Sequence, residues 1–93
     1  MLKIIPTRDF CNMLNEMQEK QFKQIWKCIL NLIENPRPHD SKKIGEYEEC
    51  PIYRVDSGEF RIIYQYNEKC LYPLVLGKRN DGQVYKEMKR KLS

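Results

Sequence analysis

The feature that most restricts this chain is a change in the period of its apolar residues on either side of a proline-rich connector. Before the connector, Phe22, Ile25, Trp26, Ile29 and Ile33 recur at helical spacing, widened by Leu30 and Leu32, which predicts an amphipathic helix over residues 19–34. Asn35-Pro36 stops it, because proline has no amide proton to donate and clashes with the preceding turn. After Pro36-Arg37-Pro38-His39-Asp40-Ser41 the apolar residues alternate instead, and strands are expected over 52–56, 59–66 and 70–77. A helical stripe and a two-residue alternation are buried together when helices lie against one face of a sheet.

The flanking segments extend this layout. Residues 2–5 form a short apolar run closed by Pro6, suited to an edge strand. Thr7 is placed to cap a short helix, with Asp9 in its first turn and Phe10, Met13, Leu14 and Met17 along one face. Polar residues 18–20 then join it to the second helix as an antiparallel hairpin, whose apolar side needs a cover. Lys42-Lys43-Ile44-Gly45 leads toward the sheet, and residues 83–92 suit a short terminal helix or an extended tail. The expected class is α+β: an antiparallel-rich curved sheet of about four strands packed on an N-terminal helix hairpin. With 93 residues there is no room for two independent cores, so residues 1–93 are expected to form a single domain.

Composition narrows the function classes. No stretch of 18 consecutive apolar residues exists, and the N-terminal apolar run is too short for a signal peptide, so a cytoplasmic protein with no membrane partner is expected. Cys11, Cys28, Cys50 and Cys70 contain no CxxC pair and are accompanied by a single histidine, His39, which argues against a zinc site and for four free thiols in a reducing compartment. The formal charge is +4, and its distribution is uneven: Lys78, Arg79, Lys86, Lys89, Arg90 and Lys91 crowd the C-terminal end against only Asp81 and Glu87. Such a field permits attraction to a polyanion.

Two further arginines stand on the sheet. If Ser57-Gly58 forms the turn, Arg54 falls opposite Arg61, while Tyr53, Val55, Phe60, Ile62 and Tyr64 share the other face. Like charges directly opposite are destabilising, so this register calls either for an anion between the guanidiniums or for a carboxylate such as Asp56 or Glu59 that neutralises them. Neither arginine loses its proton near neutrality, and planar forks of donors suit phosphate oxygens. Lys78 and Arg79 emerge from the end of the third of these strands after Gly77, with Tyr85 six residues beyond Arg79. Should they meet Arg54 and Arg61, three arginines and a phenol would surround one anion.

Three stretches carry a resemblance: ENPRP at 34–38 after the helix hairpin, SGEFRIIYQYNEK at 57–69, and LGKRNDGQVY at 76–85. In these, over nearly the whole chain, the sequence resembles the RelE-like branch of the RelE/ParE toxin superfamily. The resemblance implies the toxin of a type II toxin-antitoxin pair that enters the ribosome and cleaves messenger RNA, with the 2'-hydroxyl attacking the adjacent phosphate and no metal or other cofactor. It implies catalytic roles for Arg61, Arg79 and Tyr85. Arg54 falls where the family has a lysine, and because arginine holds its proton too firmly to shuttle it, stabilisation of charge is the role left to Arg54. Lys42, Lys43, Lys78, Lys86, Lys89 and Arg90 are the expected contacts to RNA and ribosome. A cognate antitoxin is the expected protein partner, with the pair reaching operator DNA through the antitoxin. A ParE-like inhibitor of DNA gyrase, or an inactive homologue that only binds a partner, is the alternative on the same fold. The proton acceptor of the reaction is left unidentified, since no histidine or pair of carboxylates stands beside the arginines.

Overall fold

The structure, a computed structural model, describes residues 1–79. Strand β1 (Lys3–Ile4) is followed by helices α1 (Arg8–Asn15) and α2 (Glu19–Glu34), then by strands β2 (Lys42–Tyr47), β3 (Cys50–Ser57), β4 (Phe60–Tyr66) and β5 (Cys70–Lys78). The five strands form one open sheet in the order β1-β5-β4-β3-β2, antiparallel throughout except for the parallel pair β1 and β5. The architecture is the expected α+β layout with five strands rather than about four; the addition is β2. Tyr85, Lys86, Lys89 and Arg90, and the possible terminal helix, lie outside the described residues.

Thr7 shows how sequence becomes local structure and then packing. Its hydroxyl oxygen accepts from the Phe10 amide at 3.1 Å, capping α1, and donates to the Leu74 carbonyl at 2.7 Å. That carbonyl sits in a bulge, where β5 has one more residue than β4 between Ile63↔Val75 and Tyr64↔Pro73. The cap of the first helix is thereby tied to β5. Helix α2 needs no side-chain cap at Gln18 and ends at Glu34, ahead of the proline.

Both helices cover one face of the sheet. Phe10, Leu14, Ile25, Ile29 and Leu32 pack against the sheet residues Tyr53, Val55, Phe60, Ile62, Tyr64, Leu71 and Leu76. Tyr64 is fully buried and its hydroxyl donates to the Pro36 carbonyl at 2.6 Å, joining the connector to the core. Burial pushes the Tyr64 phenol up to about 12, so it stays a protonated donor at neutral pH. The stripe on α2 is wider than its buried part, leaving Phe22, Trp26 and Leu30 exposed, the first two beside α1. On the other face of the sheet Ile52, Ile63, Leu74 and Val75 make a second, smaller apolar cluster, flanked by Ile44, Tyr47 and Tyr72.

The hairpin of β3 and β4 departs from the expected register. Ser57 pairs with Phe60, Asp56 with Arg61, Val55 with Ile62 and Arg54 with Ile63, so the turn is Gly58-Glu59 and not Ser57-Gly58. Gly58 has φ +61° and stands first in the turn, where a two-residue hairpin of the type II′ kind requires glycine. Side-chain parity is unaffected, because each residue moves to a partner two places along and therefore on the same face. What changes is the opposite number of Arg61: an aspartate in place of an arginine.

Candidate functional site

On the sheet face opposite α1 and α2, the end of the β3–β4 hairpin collects Arg54, Asp56 and Arg61. Arg79 joins them from the end of β5, where its amide donates to the Glu59 carbonyl at 3.0 Å and continues the strand pairing one step. Because Arg61 is opposite Gly77, a side chain two residues further along, at 79, returns to the face of Arg61. Three guanidiniums thus converge on one carboxylate.

Arg61 holds Asp56 by its side edge, with Nε donating to Oδ1 at 2.7 Å and Nη2 to Oδ2 at 3.3 Å. Arg54 Nη1 and Arg79 Nη1 approach the same Oδ2 at 3.7 and 3.9 Å, close enough for strong attraction but too far for a hydrogen bond. The side chains of Arg61 and Asp56 are 14% and 27% exposed, whereas that of Arg79 is 46% exposed and forms the outer lip. The hydrogen bond from Arg61, reinforced by the charges of Arg61, Arg54 and Arg79, holds the Asp56 carboxyl below its usual range against an opposing effect of burial. The four groups carry a formal excess of two positive charges. Ile63, fully buried beside Arg54 in the register, gives the site an apolar wall that weakens screening.

Of the described lysines expected to contact RNA, Lys42, Lys43 and Lys78, one shares the face of the arginines. Lys42 pairs with Arg54 across β2 and β3 and is exposed. Lys43 pairs with Tyr53 on the helix side, and a bulge between Lys43 and Gly45 brings Glu46 to the same face, where it binds the Lys43 ammonium at 2.9 Å. Lys78 pairs with Phe60, also on the helix side, and lines a cavity with Met13, Met17 and Glu59. The expected pairing of Arg54 directly with Arg61 is corrected by the hairpin register, and the convergence of Arg54, Arg61 and Arg79 is observed.

Asp56 was legible only as one of two local carboxylates able to neutralise the arginines; the turn register selects it. His39 is exposed in the connector, and Arg37 lies over the Tyr53 ring at 4.3 Å, away from the carboxylate. All four cysteines are free thiols. Cys28, pushed up to about 11 by burial and by the charge of Asp40, is a poor nucleophile at neutral pH. It lines a cavity of about 300 Å³ between α2 and β3 that touches Asp56 and Ser57 but none of the three arginines. Among the described residues no group of histidine, cysteine and carboxylate side chains is arranged to hold a metal, and no helix is long and apolar enough to cross a membrane.

No protein-family model and no curated protein sequence matches the chain. Solved structures do. The archaeal RelE-RelB complex from Pyrococcus horikoshii OT3 contains a chain that superposes with a TM-score of 0.75 at 20% identity, over 86% of this chain and 97% of that one. A double mutant of E. coli RelE in the free state gives 0.73 at 17% identity, over 99% and 98% of the two chains. The intact E. coli RelBE toxin-antitoxin complex gives 0.68 at 20%, over 86% and 99%. The chain has the RelE fold.

Proposed function

We propose that this protein is the toxin of a type II toxin-antitoxin pair and acts as an endoribonuclease on messenger RNA held in the ribosome. The observation that carries the reading is the convergence of Arg54, Arg61 and Arg79 on a single carboxylate, on the sheet face opposite α1 and α2 in a chain with the RelE fold. Three fixed guanidiniums around one anion suit a phosphodiester. When the 2'-hydroxyl attacks, negative charge grows on the non-bridging phosphate oxygens, and donors already in place stabilise that charge more than they stabilise the starting ester. Arginine cannot give up its proton near neutrality, so these three side chains contribute charge and orientation. Tyr85, outside the described residues, is assigned to stacking on a base or orienting the phosphate.

A site rich in positive charge and poor in acid-base pairs gains most from a substrate already bent for in-line attack. Correct orientation is worth several kcal/mol, up to about 7–11 in favourable intramolecular cases. The ribosome is the proposed source of that orientation, and the cytoplasm the proposed place of action. An antitoxin that masks the arginine face is the proposed partner, in keeping with the RelB-bound forms of the two similar RelE structures, and it would link the pair to operator DNA.

Primer-extension mapping of messenger RNA after a short induction, run beside a gyrase supercoiling assay, tests the reading. Discrete codon-linked breaks with unchanged supercoiling are expected, and purified protein should cut ribosome-bound message far faster than the same RNA free in solution. Lost supercoiling without breaks would replace it with gyrase inhibition.

A further inference from the structure

The proposed reaction needs an acceptor for the 2'-hydroxyl proton, and the arginines cannot supply one. Lys42, the described cation paired with Arg54 on this face, carries an ammonium that donates and does not accept. Glu59 is turned away: it accepts from Gln21 at 3.3 Å and lines the helix-side cavity with Phe60 and Lys78. Among the described residues at the site, the acceptor left is Asp56.

Resting on the nuclease reading above, we propose that Asp56 is the general base of this site, with Oδ2 as the atom that takes the proton. The two carboxylate oxygens are held differently. Oδ1 is committed to Arg61 Nε at 2.7 Å and fixes the orientation of the group. Oδ2 has a longer contact with Arg61 Nη2 at 3.3 Å, and Arg54 and Arg79 stand 3.7 and 3.9 Å from it without hydrogen bonding to it. The less committed oxygen is therefore the one nearest the two guanidiniums that would receive phosphate oxygens, which places proton acceptor and phosphate together.

The arginines that depress the basicity of Asp56 also set the timing. While the site holds no substrate, three positive charges keep the carboxylate ionised and ready to accept. A bound phosphodiester brings a negative charge among the same guanidiniums, offsets their pull, and raises the proton affinity of Asp56 when the proton must move. In the step itself, the 2'-O–H proton passes to Oδ2 as the 2'-oxygen forms its bond to phosphorus. The P–O5' bond breaks, its electron pair leaves on the 5'-oxygen, and that oxygen takes a proton from a solvent water. The hydroxide left behind receives the proton from Asp56. The products are a 2',3'-cyclic phosphate and a 5'-hydroxyl, with no oxidation or reduction.

Asp56→Asn keeps the shape and an oxygen that accepts from Arg61 but cannot take the proton; Asp56→Glu keeps a base one methylene out of place. The probes are a ribosome-bound message and its analogue with a single 2'-deoxy nucleotide at the cut site, which binds but cannot be cleaved. Expected for D56N are binding of the analogue equal to or tighter than wild type and a single-turnover cleavage rate lower by roughly 10²–10⁴, with D56E between the two. Cleavage by D56N within about threefold of wild type would overturn the assignment, as would parallel loss of binding and cutting, the mark of a residue that only positions Arg61. Should D56N fail to unfold cooperatively, single-turnover cleavage by wild type in heavy water decides, since transfer of the proton to a base in the transition state makes it slower there, and an unchanged rate overturns the proposal. Wild-type protein that binds the analogue yet cuts nothing refutes the nuclease reading itself, a result distinct from uncut message with D56N alone.

Discussion

Asp56 and Arg61 pair one step in from a two-residue turn, and that pairing turns a crowd of like charges into a structured site. Above about pH 5 the carboxylate is ionised both folded and unfolded, and its contacts with arginine favour the folded chain. Since the folded-state carboxyl lies below its ordinary value of 3.8, this stabilisation is present above that value and is lost as the pH falls through the lower, folded one. The stability difference between wild type and D56N should therefore be constant from pH 7 to about pH 5 and shrink progressively below pH 3.8, checked by urea unfolding at each pH. A difference that widened on acidification would mean that Asp56 is held in its protonated form. The sharing of a face by Arg54 and Arg61 was legible in the sequence because strand alternation survives any shift that moves partners by two. The residue opposite each was not, because Gly58 satisfies either turn position and only the three-dimensional pairing of Ser57 with Phe60 chooses.

Among the elements, α2 was legible to the residue: a stripe at helical spacing runs into Asn35-Pro36, and the chain has no other way to continue there. Strand β2 was not, and the reason lies in its turn. Tyr47 pairs with Cys50, so Glu48 and Glu49 form a two-residue turn, and both have positive φ, 51° and 67°. That conformation is the one for which Asn-Gly is the usual signal, and glutamate at both positions hides it while adding strain of about 1–2 kcal/mol per residue. Replacing the pair with the residues the backbone favours, Glu48→Asn with Glu49→Gly, should raise stability by about 1–2 kcal/mol, part of the relief being offset by the greater freedom of glycine in the unfolded chain. The midpoint of chemical unfolding would move up with an unchanged slope. Because this turn is at the opposite end of β3 from Gly58-Glu59, RNA cleavage should be unaltered; a loss of cleavage would show that the two ends of β3 are coupled.

At the scale of the whole molecule, the sheet divides the charged residues into two populations that the sequence presents as one. Helices occupy one face, so Lys43 and Lys78, which pair with Tyr53 and Phe60, are directed to the helix side. Lys42 pairs with Arg54 and extends the arginine face toward the β2 edge. If the substrate lies across that face, Lys42 meets a phosphate neighbouring the one that is cut, and Lys78 meets none. Lys42→Ala should then weaken binding of the 2'-deoxy analogue a few-fold and lower the salt dependence of binding by about one counterion, with the single-turnover rate of the bound complex unchanged. Lys78→Ala should leave affinity, salt dependence and rate as they are. The comparison separates charge that gathers RNA from charge that acts on the reacting phosphate, because removing Arg61 or Arg79 should lower the single-turnover rate by roughly 10²–10³ at saturating RNA. Equal losses of affinity in the Lys42 and Lys78 variants would mean that RNA wraps the edge of the sheet and reaches both faces, and the single-face docking on which the arginine site depends would have to be abandoned.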